Sequence, residues 1–217
     1  MNKRFGGPEH FTPHVETGGM YEERIFGKAK ALSQDLQERA GRLHMKLLEK
    51  AGKINSPSKK PGWIPFYDAL RLAKQQQPWK NPNLPDKPVP GDLLDAIATK
   101  LNIADTPDDE LLKFYTAVGT PLDTFHGTDA LIEYLGTRVL MDITLDPVKK
   151  TFEDSDVFAG KMIMDELPEP EKDQEAYDLA IDKYAEFIVQ AINRQLTEKK
   201  EKKLPNNAST FMDPNFM

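Results

Sequence analysis

The 217 residues of the chain are 39% hydrophobic and 29% charged, with a formal net charge of −6, which predicts one well-packed core with extensions. Cysteine is absent, which excludes disulfides, thiolate metal sites and a cysteine nucleophile and fits a cytoplasmic or virion protein. The negative charge excludes a bulk electrostatic attraction to nucleic acid, so any such contact needs a local basic patch.

The sequence predicts no targeting segment and no contact with a membrane. No apolar run follows the basic residues near the N-terminus, and nowhere do about 18 apolar residues occur in succession. Residues 1–19 are rich in Gly, Pro and Thr and predict an extended N-terminal arm, and residues 200–217 predict a C-terminal tail. We expect these terminal arms to bind protein partners in an oligomer or a larger complex.

Between the arms, residues 20–90 predict a helical region. Apolar residues recur about every 3.7 positions over 21–51, which predicts one long helix and a second surface for protein partners. A shorter apolar repeat predicts a helix over 66–77. The five prolines of residues 78–90 predict an extended connector, in which Trp79 docks onto the core.

Residues 91–199 predict an α+β core. Its predicted elements, in chain order, are helices over 93–101 and 107–118, a hairpin over 129–144, a strand over 157–164 and a helix over 171–199. Thr106, Pro107 and Asp109 are typical of the start of the second helix. The predicted fold is therefore a small β-sheet with a central hairpin packed against long helices.

The hairpin is the most informative of these elements. Two runs rich in β-forming residues flank the dipeptide Leu135-Gly136, which predicts a two-residue turn. That turn sets Glu133 opposite Arg138, a charge-complementary pair. The same register sets Asp129 opposite Asp142, which is a pair of like charges.

Two aspartates opposed in this way need either a shared proton or a cation. Directly opposed side chains lie about 4.5–5.5 Å apart at Cβ, where like charges repel each other. A divalent cation such as Mg²⁺ takes this oxygen-rich arrangement well, which makes Asp129 and Asp142 candidate metal ligands. Two alternatives stay open: the aspartates form a solvated or structural pair, or a three-residue loop shifts the register and separates them.

From Thr106 onward the predicted elements are helix, strand, strand, strand and helix, with Asp129 on one strand and Asp142 two residues before Thr144 on the next. This arrangement resembles the PD-(D/E)xK nuclease-like core over residues 106–165. The resemblance implies that Asp129 and Asp142 hold Mg²⁺, which activates water for phosphodiester cleavage in nucleic acid. Thr144 departs from the family pattern, because the resemblance places a lysine there.

The resemblance also implies roles for groups around the cation. Lys149 and Lys150, just beyond the strand, stand in for the missing lysine, as in diverged members in which this lysine migrates. Glu110 supplies the extra acid that some members use. His126, three residues before Asp129, is a candidate base or phosphate donor, or alternatively a hydrogen-bonded histidine of the strand end.

A non-enzymatic assembly protein is the competing interpretation. Extended arms at both ends, a proline-rich connector and a long amphipathic helix are typical of a subunit that lies among partners. Such a subunit, of a virion or of a multi-protein complex, keeps only a degenerate nuclease-like core. Thr144 at the lysine position fits this interpretation, and the two interpretations make opposite predictions for metal-dependent cleavage.

Overall fold

The described part of the chain forms a mixed four-stranded sheet flanked by helices. The computed structural model describes residues 17–30, 63–145 and 161–203. Within these ranges the strands are β1 (Lys113–Thr116), β2 (Ala130–Tyr134), β3 (Thr137–Ile143) and β4 (Lys161–Met164). The helices are α1 (Gly18–Phe26), α2 (Phe66–Gln75), α3 (Pro88–Leu101), α4 (Pro121–His126) and α5 (Gln174–Lys203), and a 3-10 helix covers Pro107–Leu111. The predicted α+β class is confirmed.

The order of the strands in the sheet is β1-β2-β3-β4. β1, β2 and β3 pair antiparallel, whereas β4 pairs parallel to β3. A parallel pair needs a crossover connection, and residues 146–160, which contain it, lie outside the described residues. The strand predicted over 157–164 is described from Lys161 onward, where it is a strand.

The predicted hairpin is present with the predicted turn. Leu135 and Gly136 both have positive φ, 48° and 71°, as the two-residue turns that match the twist of the strands require. The pairing follows the predicted register from the turn as far as Ala130. Arg138 Nε lies 3.2 Å from Glu133 Oε1, so the charge-complementary pair that supported this register forms an ion pair.

Apolar side chains on both faces of the sheet form the core, and their burial is the main source of stability. One face packs against α1, α3 and α5 and includes the fully buried Phe26 and Phe114. The other face packs against α2 and α4 and includes Leu122 and Leu131. Trp79 is 4% exposed and its ring centroid lies 6.0 Å from that of Phe114, which confirms the predicted docking of the connector.

The prediction of an α-helix over 107–118 is wrong. A 3-10 helix covers Pro107–Leu111, and the chain then extends into β1. Thr106 occupies the predicted N-cap position, but of this 3-10 helix, and its hydroxyl accepts no N–H of the helix and donates instead to the carbonyl of Ile103 at 2.6 Å. Pairing of β1 with β2 and the complete burial of Phe114 outweigh the local signal for a helix start.

The long helix predicted over 21–51 is interrupted at Gly27. This residue has φ 71°, and the residues that follow it up to the end of the described range are not helical. The Ala29 N–H donates to the carbonyl of Val118, just after β1, at 3.1 Å. The backbone of this segment therefore bonds to the chain beside the sheet and not to a preceding turn of helix. The remainder of this prediction, 31–51, lies outside the described residues.

The other predicted helices are confirmed with shifted ends. α2 ends two residues before the predicted end at 77, and α5 continues past the predicted end at 199. α3 begins at Pro88, inside the segment predicted to be extended, because proline is favoured at the first helical position. None of the helices in the described ranges combines the length and the apolar character that crossing a membrane requires.

Leu135 carries backbone strain that a substitution can relieve. A left-handed conformation costs a residue such as Leu about 1–2 kcal/mol, and Asn tolerates it better. Because Leu135 is 51% exposed, its replacement loses little packing. We expect Leu135→Asn to raise the free energy of unfolding by about 0.5–1 kcal/mol in urea denaturation. Leu84→Asn is the control, since Leu84 is 70% exposed with negative φ, and an equal gain there would contradict the explanation.

Candidate metal centre

Three carboxylates from distant parts of the sequence converge beside the start of β2. Glu22 lies on α1, Asp123 on α4 and Asp129 directly before β2. One carboxylate oxygen of each lies within 4.8 Å of the other two. Glu22 and Asp123 are half-buried and Asp129 is buried, so this acidic cluster could bind a metal ion.

A local irregularity of the β-ladder positions Asp129. Its N–H donates to the carbonyl of Met141 at 2.8 Å, although Met141 already pairs with Ala130. Two residues opposite one partner are the pattern of a β-bulge, which re-aims a side chain. The Asp129 carboxylate then accepts the Ile143 N–H at 2.7 Å. The regular ladder therefore ends before the predicted Asp129–Asp142 pair.

The surroundings of Asp129 favour its protonated form. Burial raises the pKa of Asp129 to about 8, and the nearby charges of Glu22, Asp142 and Asp123 add to the increase. The hydrogen bond from the Ile143 N–H acts in the opposite direction. The raised pKa favours a protonated Asp129 at neutral pH in the metal-free protein, and binding of a cation would release that proton.

The start of α4 determines the position of Asp123. Thr120 caps this helix by accepting the Leu122 N–H at 3.2 Å. Three residues after the cap, Asp123 Oδ2 accepts the Gly119 N–H at 2.9 Å. Burial raises the pKa of Asp123, the Gly119 hydrogen bond lowers it, and the charge of Asp142 raises it further.

Asp142 lies beside the acidic cluster and forms an ion pair with the neighbouring strand. Its Oδ2 is 3.3 Å from Nζ of Lys161 on β4. Among the described residues, the group of acids with converging oxygens does not include Asp142. Its charge nevertheless raises the pKa of both Asp123 and Asp129. The two predicted ligands thus have different partners: Asp129 lies in the cluster, and Asp142 pairs with a lysine.

His126, a candidate base or phosphate donor, is the last residue of α4 and packs among aromatic rings. Its Nε2 lies 3.0 Å from the carbonyl oxygen of Ile64, to which it donates. The ring centroid of Phe66 is 5.5 Å away and that of Trp63 is 6.0 Å away. The structure therefore shows the hydrogen-bonded histidine of the second interpretation, at a helix end rather than a strand end.

Of the remaining predicted site residues, one is described and two are not. Glu110 is exposed on the 3-10 helix, and it is not one of the acids that converge on Asp129 in the described ranges. Lys149 and Lys150 lie outside the described residues. Lys161, which pairs with Asp142, was not singled out by sequence analysis.

Sequence analysis also missed Glu22 and Asp123 as members of the cluster. Thr120-Pro121 followed by an acid two residues later is a recognisable helix start, so the short helix that carries Asp123 was detectable. Glu22 has no comparable signal, because only tertiary folding brings α1 next to the hairpin.

The donor atoms of the cluster suit a hard divalent cation. Carboxylate oxygens are the ligands that Mg²⁺, Mn²⁺ and Ca²⁺ prefer. Mg²⁺ commonly binds few protein carboxylates and keeps several waters, so three partly buried acids are a sufficient set. Among the described residues, neither sulfur nor imidazole contributes to the cluster, which disfavours the softer transition metals.

Comparison of the chain with protein-family models, with curated proteins and with solved structures found no match. Its function must therefore be inferred from the site itself. Fold and site together define an α+β protein with a cluster of three acids that could bind a metal ion.

Proposed function

We propose that this protein is a metal-dependent phosphodiesterase that acts on nucleic acid, with Mg²⁺ or Mn²⁺ held by Glu22, Asp123 and Asp129. The observation that carries the proposal is the convergence of three carboxylate oxygens within 4.8 Å around a buried Asp129. Charges so close are unfavourable together unless a proton or a cation compensates them. A cation that replaced the proton on Asp129 would offset the repulsion among the three carboxylates, and this relief would favour its binding.

The proposed chemistry is hydrolysis of a phosphodiester. A divalent cation on carboxylates polarises a phosphoryl oxygen and lowers the pKa of a coordinated water. In the reaction the water oxygen forms a bond to phosphorus, one P–O ester bond breaks, and the departing oxygen takes up a proton. The chain holds its carboxylates for this reaction through backbone donors, the Ile143 N–H for Asp129 and the Gly119 N–H for Asp123.

The positions of the acids support the resemblance to the PD-(D/E)xK nuclease-like core. Asp129 directly precedes β2 and Asp142 lies on β3, so the two acids lie on adjacent segments of the sheet, as the resemblance implies, but among the described residues only Asp129 of the two belongs to the acidic cluster. Glu22 on α1 is proposed here for the role first given to Glu110, an additional acid from a preceding helix. Thr144 still departs from the family pattern.

Capture of a nucleic acid by this protein needs local positive charge. The net charge of −6 gives no general attraction to a polyanion. The C-terminal end of α5 presents the exposed Lys199, Lys200 and Lys202, interspersed with the exposed Glu198 and Glu201, and we call these three lysines the basic patch. We expect this patch and the bound cation to supply the attraction, so binding should weaken steeply with salt.

A non-enzymatic assembly subunit is the second candidate function, and one observation favours it. Asp123 and Asp129 each accept a backbone N–H, so both have a structural role that needs no cation. In that case the proton on Asp129 alone would relieve the charge repulsion within the cluster. In this case the arms bind protein partners and the nuclease-like core has lost its activity.

Cation binding separates the two candidates. We expect Mn²⁺ to raise the Tm of the wild-type protein. Asp129→Asn should weaken Mn²⁺ binding at least about tenfold, because it removes a charged ligand. Isothermal titration calorimetry measures both affinities. Glu110→Gln is the matched control, since it removes an exposed acid outside the cluster and should bind Mn²⁺ like the wild type.

The same variants test hydrolysis with single- and double-stranded oligonucleotides. We expect Mn²⁺-dependent cleavage by the wild type and by Glu110→Gln, and none by Asp129→Asn. A wild-type protein that neither binds Mn²⁺ nor cleaves either substrate would overturn the phosphodiesterase and favour the assembly subunit. Equal losses in Asp129→Asn and Glu110→Gln would show that the cluster is not the metal site.

A further inference from the structure

The ion pair between Asp142 and Lys161 lies at the acidic cluster but is separate from it. Lys161 begins β4 and pairs with Leu140 in the parallel register, and its side chain reaches along the sheet to Asp142. The side chains are 29% and 14% exposed, so this ammonium is partly desolvated but still accessible to a ligand.

Gly127 shows how close this pair is to the acids. A Cβ at Gly127 would lie 3.5 Å from Lys161 Nζ and 3.9 Å from an oxygen of Asp142. Gly127 directly follows α4, its N–H donates to the carbonyl of Asp123 at 2.9 Å, and it precedes Asp129 by two residues. The ammonium therefore rests against the short segment that joins two members of the cluster.

Thr144, directly after β3, joins the end of that strand to β4 through a backbone hydrogen bond. It is 7% exposed, and its N–H donates to the carbonyl of Met164 at 3.0 Å. Lys161 lies on the strand that makes this contact. An ammonium has three N–H donors, so one ion pair with Asp142 leaves donors for an oxygen of an anion.

We propose that Lys161 binds the phosphate group of the substrate and that Asp142 positions this lysine rather than ligating the cation. This inference rests on the proposed function, since it concerns the phosphodiester brought to the same site. It divides the acids by role: Glu22, Asp123 and Asp129 face the cation, and Asp142 directs the ammonium. It also agrees with the finding that the group of converging oxygens among the described residues does not include Asp142.

Binding of Mn²⁺ and turnover of bis(p-nitrophenyl) phosphate are measured separately on the full chain. Lys161→Ala should raise KM for this phosphodiester, and the inhibition constant of inorganic phosphate, at least about tenfold, since a charge-assisted hydrogen bond is lost. Its Mn²⁺ affinity by calorimetry should stay within about threefold of the wild type, since no ligand is removed. Lys161→Arg should restore most of the loss in KM.

Asp142→Asn tests the positioning role. We expect it to raise KM as Lys161→Ala does, while its Mn²⁺ affinity stays within about threefold of the wild type because a ligand is not lost. A loss of Mn²⁺ binding as large as that of Asp129→Asn would make Asp142 a ligand and overturn the proposal. If Lys161→Ala leaves KM unchanged while Mn²⁺ binding and turnover stay intact, the proposed role of Lys161 is overturned but the proposed function is not.

Two comparisons keep the result interpretable. Lys172→Ala is the matched control, since Lys172 is also ion-paired, with Glu169 at 2.6 Å, and it should leave KM unchanged. Lys161→Gln replaces Lys161→Ala if the alanine variant unfolds, which circular dichroism reports. If the wild type binds no Mn²⁺, the proposed function fails and this inference fails with it.

Discussion

At pH 9 and without metal, Asp129→Asn should be more stable than the wild type by about 2–5 kcal/mol, and at pH 5 this gain should be about a third as large. Folding raises the pKa of Asp129 from 3.8 to about 8, and each unit corresponds to about 1.4 kcal/mol. Part of the shift comes from repulsion by the neighbouring acids, which can take up a proton in place of Asp129. The expected gain in stability is therefore smaller than the pKa shift multiplied by about 1.4 kcal/mol per unit.

The sign follows from the protons that each state binds. Between about pH 4 and pH 8 the folded state keeps a proton on Asp129 that the unfolded state has lost. Stability therefore falls as the pH rises through this window, and the contribution of Asp129 is fully present only below it. Asn cannot ionise, and its amide oxygen can still accept the Ile143 N–H.

Urea denaturation in EDTA at the two pH values measures this effect. Asp86→Asn is the control, because Asp86 is exposed on the connector and its replacement should change stability little at either pH. A gain in Asp129→Asn that is equal at pH 5 and pH 9 would contradict the raised pKa. A loss at pH 9 would show that the ionised carboxylate stabilises the fold.

The second large effect is expected at Gln77, whose side chain hydrogen-bonds to the backbone at the outer edge of β1. Its Oε1 accepts the Thr116 N–H and its Nε2 donates to the Thr116 carbonyl, both at 2.9 Å. Nε2 also donates to the carbonyl of Ala73 at 2.6 Å. Because Gln77 is 7% exposed, water does not readily replace these bonds. Gln77→Ala should lower the free energy of unfolding by about 2–4 kcal/mol.

Two further variants separate hydrogen bonding from packing at this edge. Gln77→Met keeps most of the volume but none of the bonds, so it should lose nearly as much stability as Gln77→Ala. Gln190→Ala is the control, since Gln190 is exposed on α5 and bonds only Glu186 in the described structure. A Gln77→Met variant as stable as the wild type would show that packing, not hydrogen bonding, matters here.

The hairpin could be predicted from the sequence because its information is local. Leu135-Gly136 defines the turn, and a turn of two residues leaves one register for the strands beside it. Charge complementarity between Glu133 and Arg138 agrees with that register. Each of these signals acts over a few residues, where intrinsic preferences and pairing point in the same direction.

The segment over 107–118 shows where local signals fail. Its start has residues that favour a helix, but Phe114 and its neighbours gain more from burial and pairing in a sheet. Pro82 accepts the Phe114 N–H at 2.9 Å, and Gln77 completes the same edge. Those partners lie in the connector and beyond α2, so the strand depends on chain segments that a local reading does not connect.

The sequence by itself determined the α+β class, the turn, the register of the hairpin and the presence of Asp129 and Asp142 near its open end. Only the tertiary structure decided the composition of the acidic cluster. The bulge before β2 re-aims Asp129, and α1 and α4 bring Glu22 and Asp123 within reach. The physical reason is that repulsion and metal binding act over a few ångströms in space, whereas these acids come from helices and a strand that only the packed core brings together.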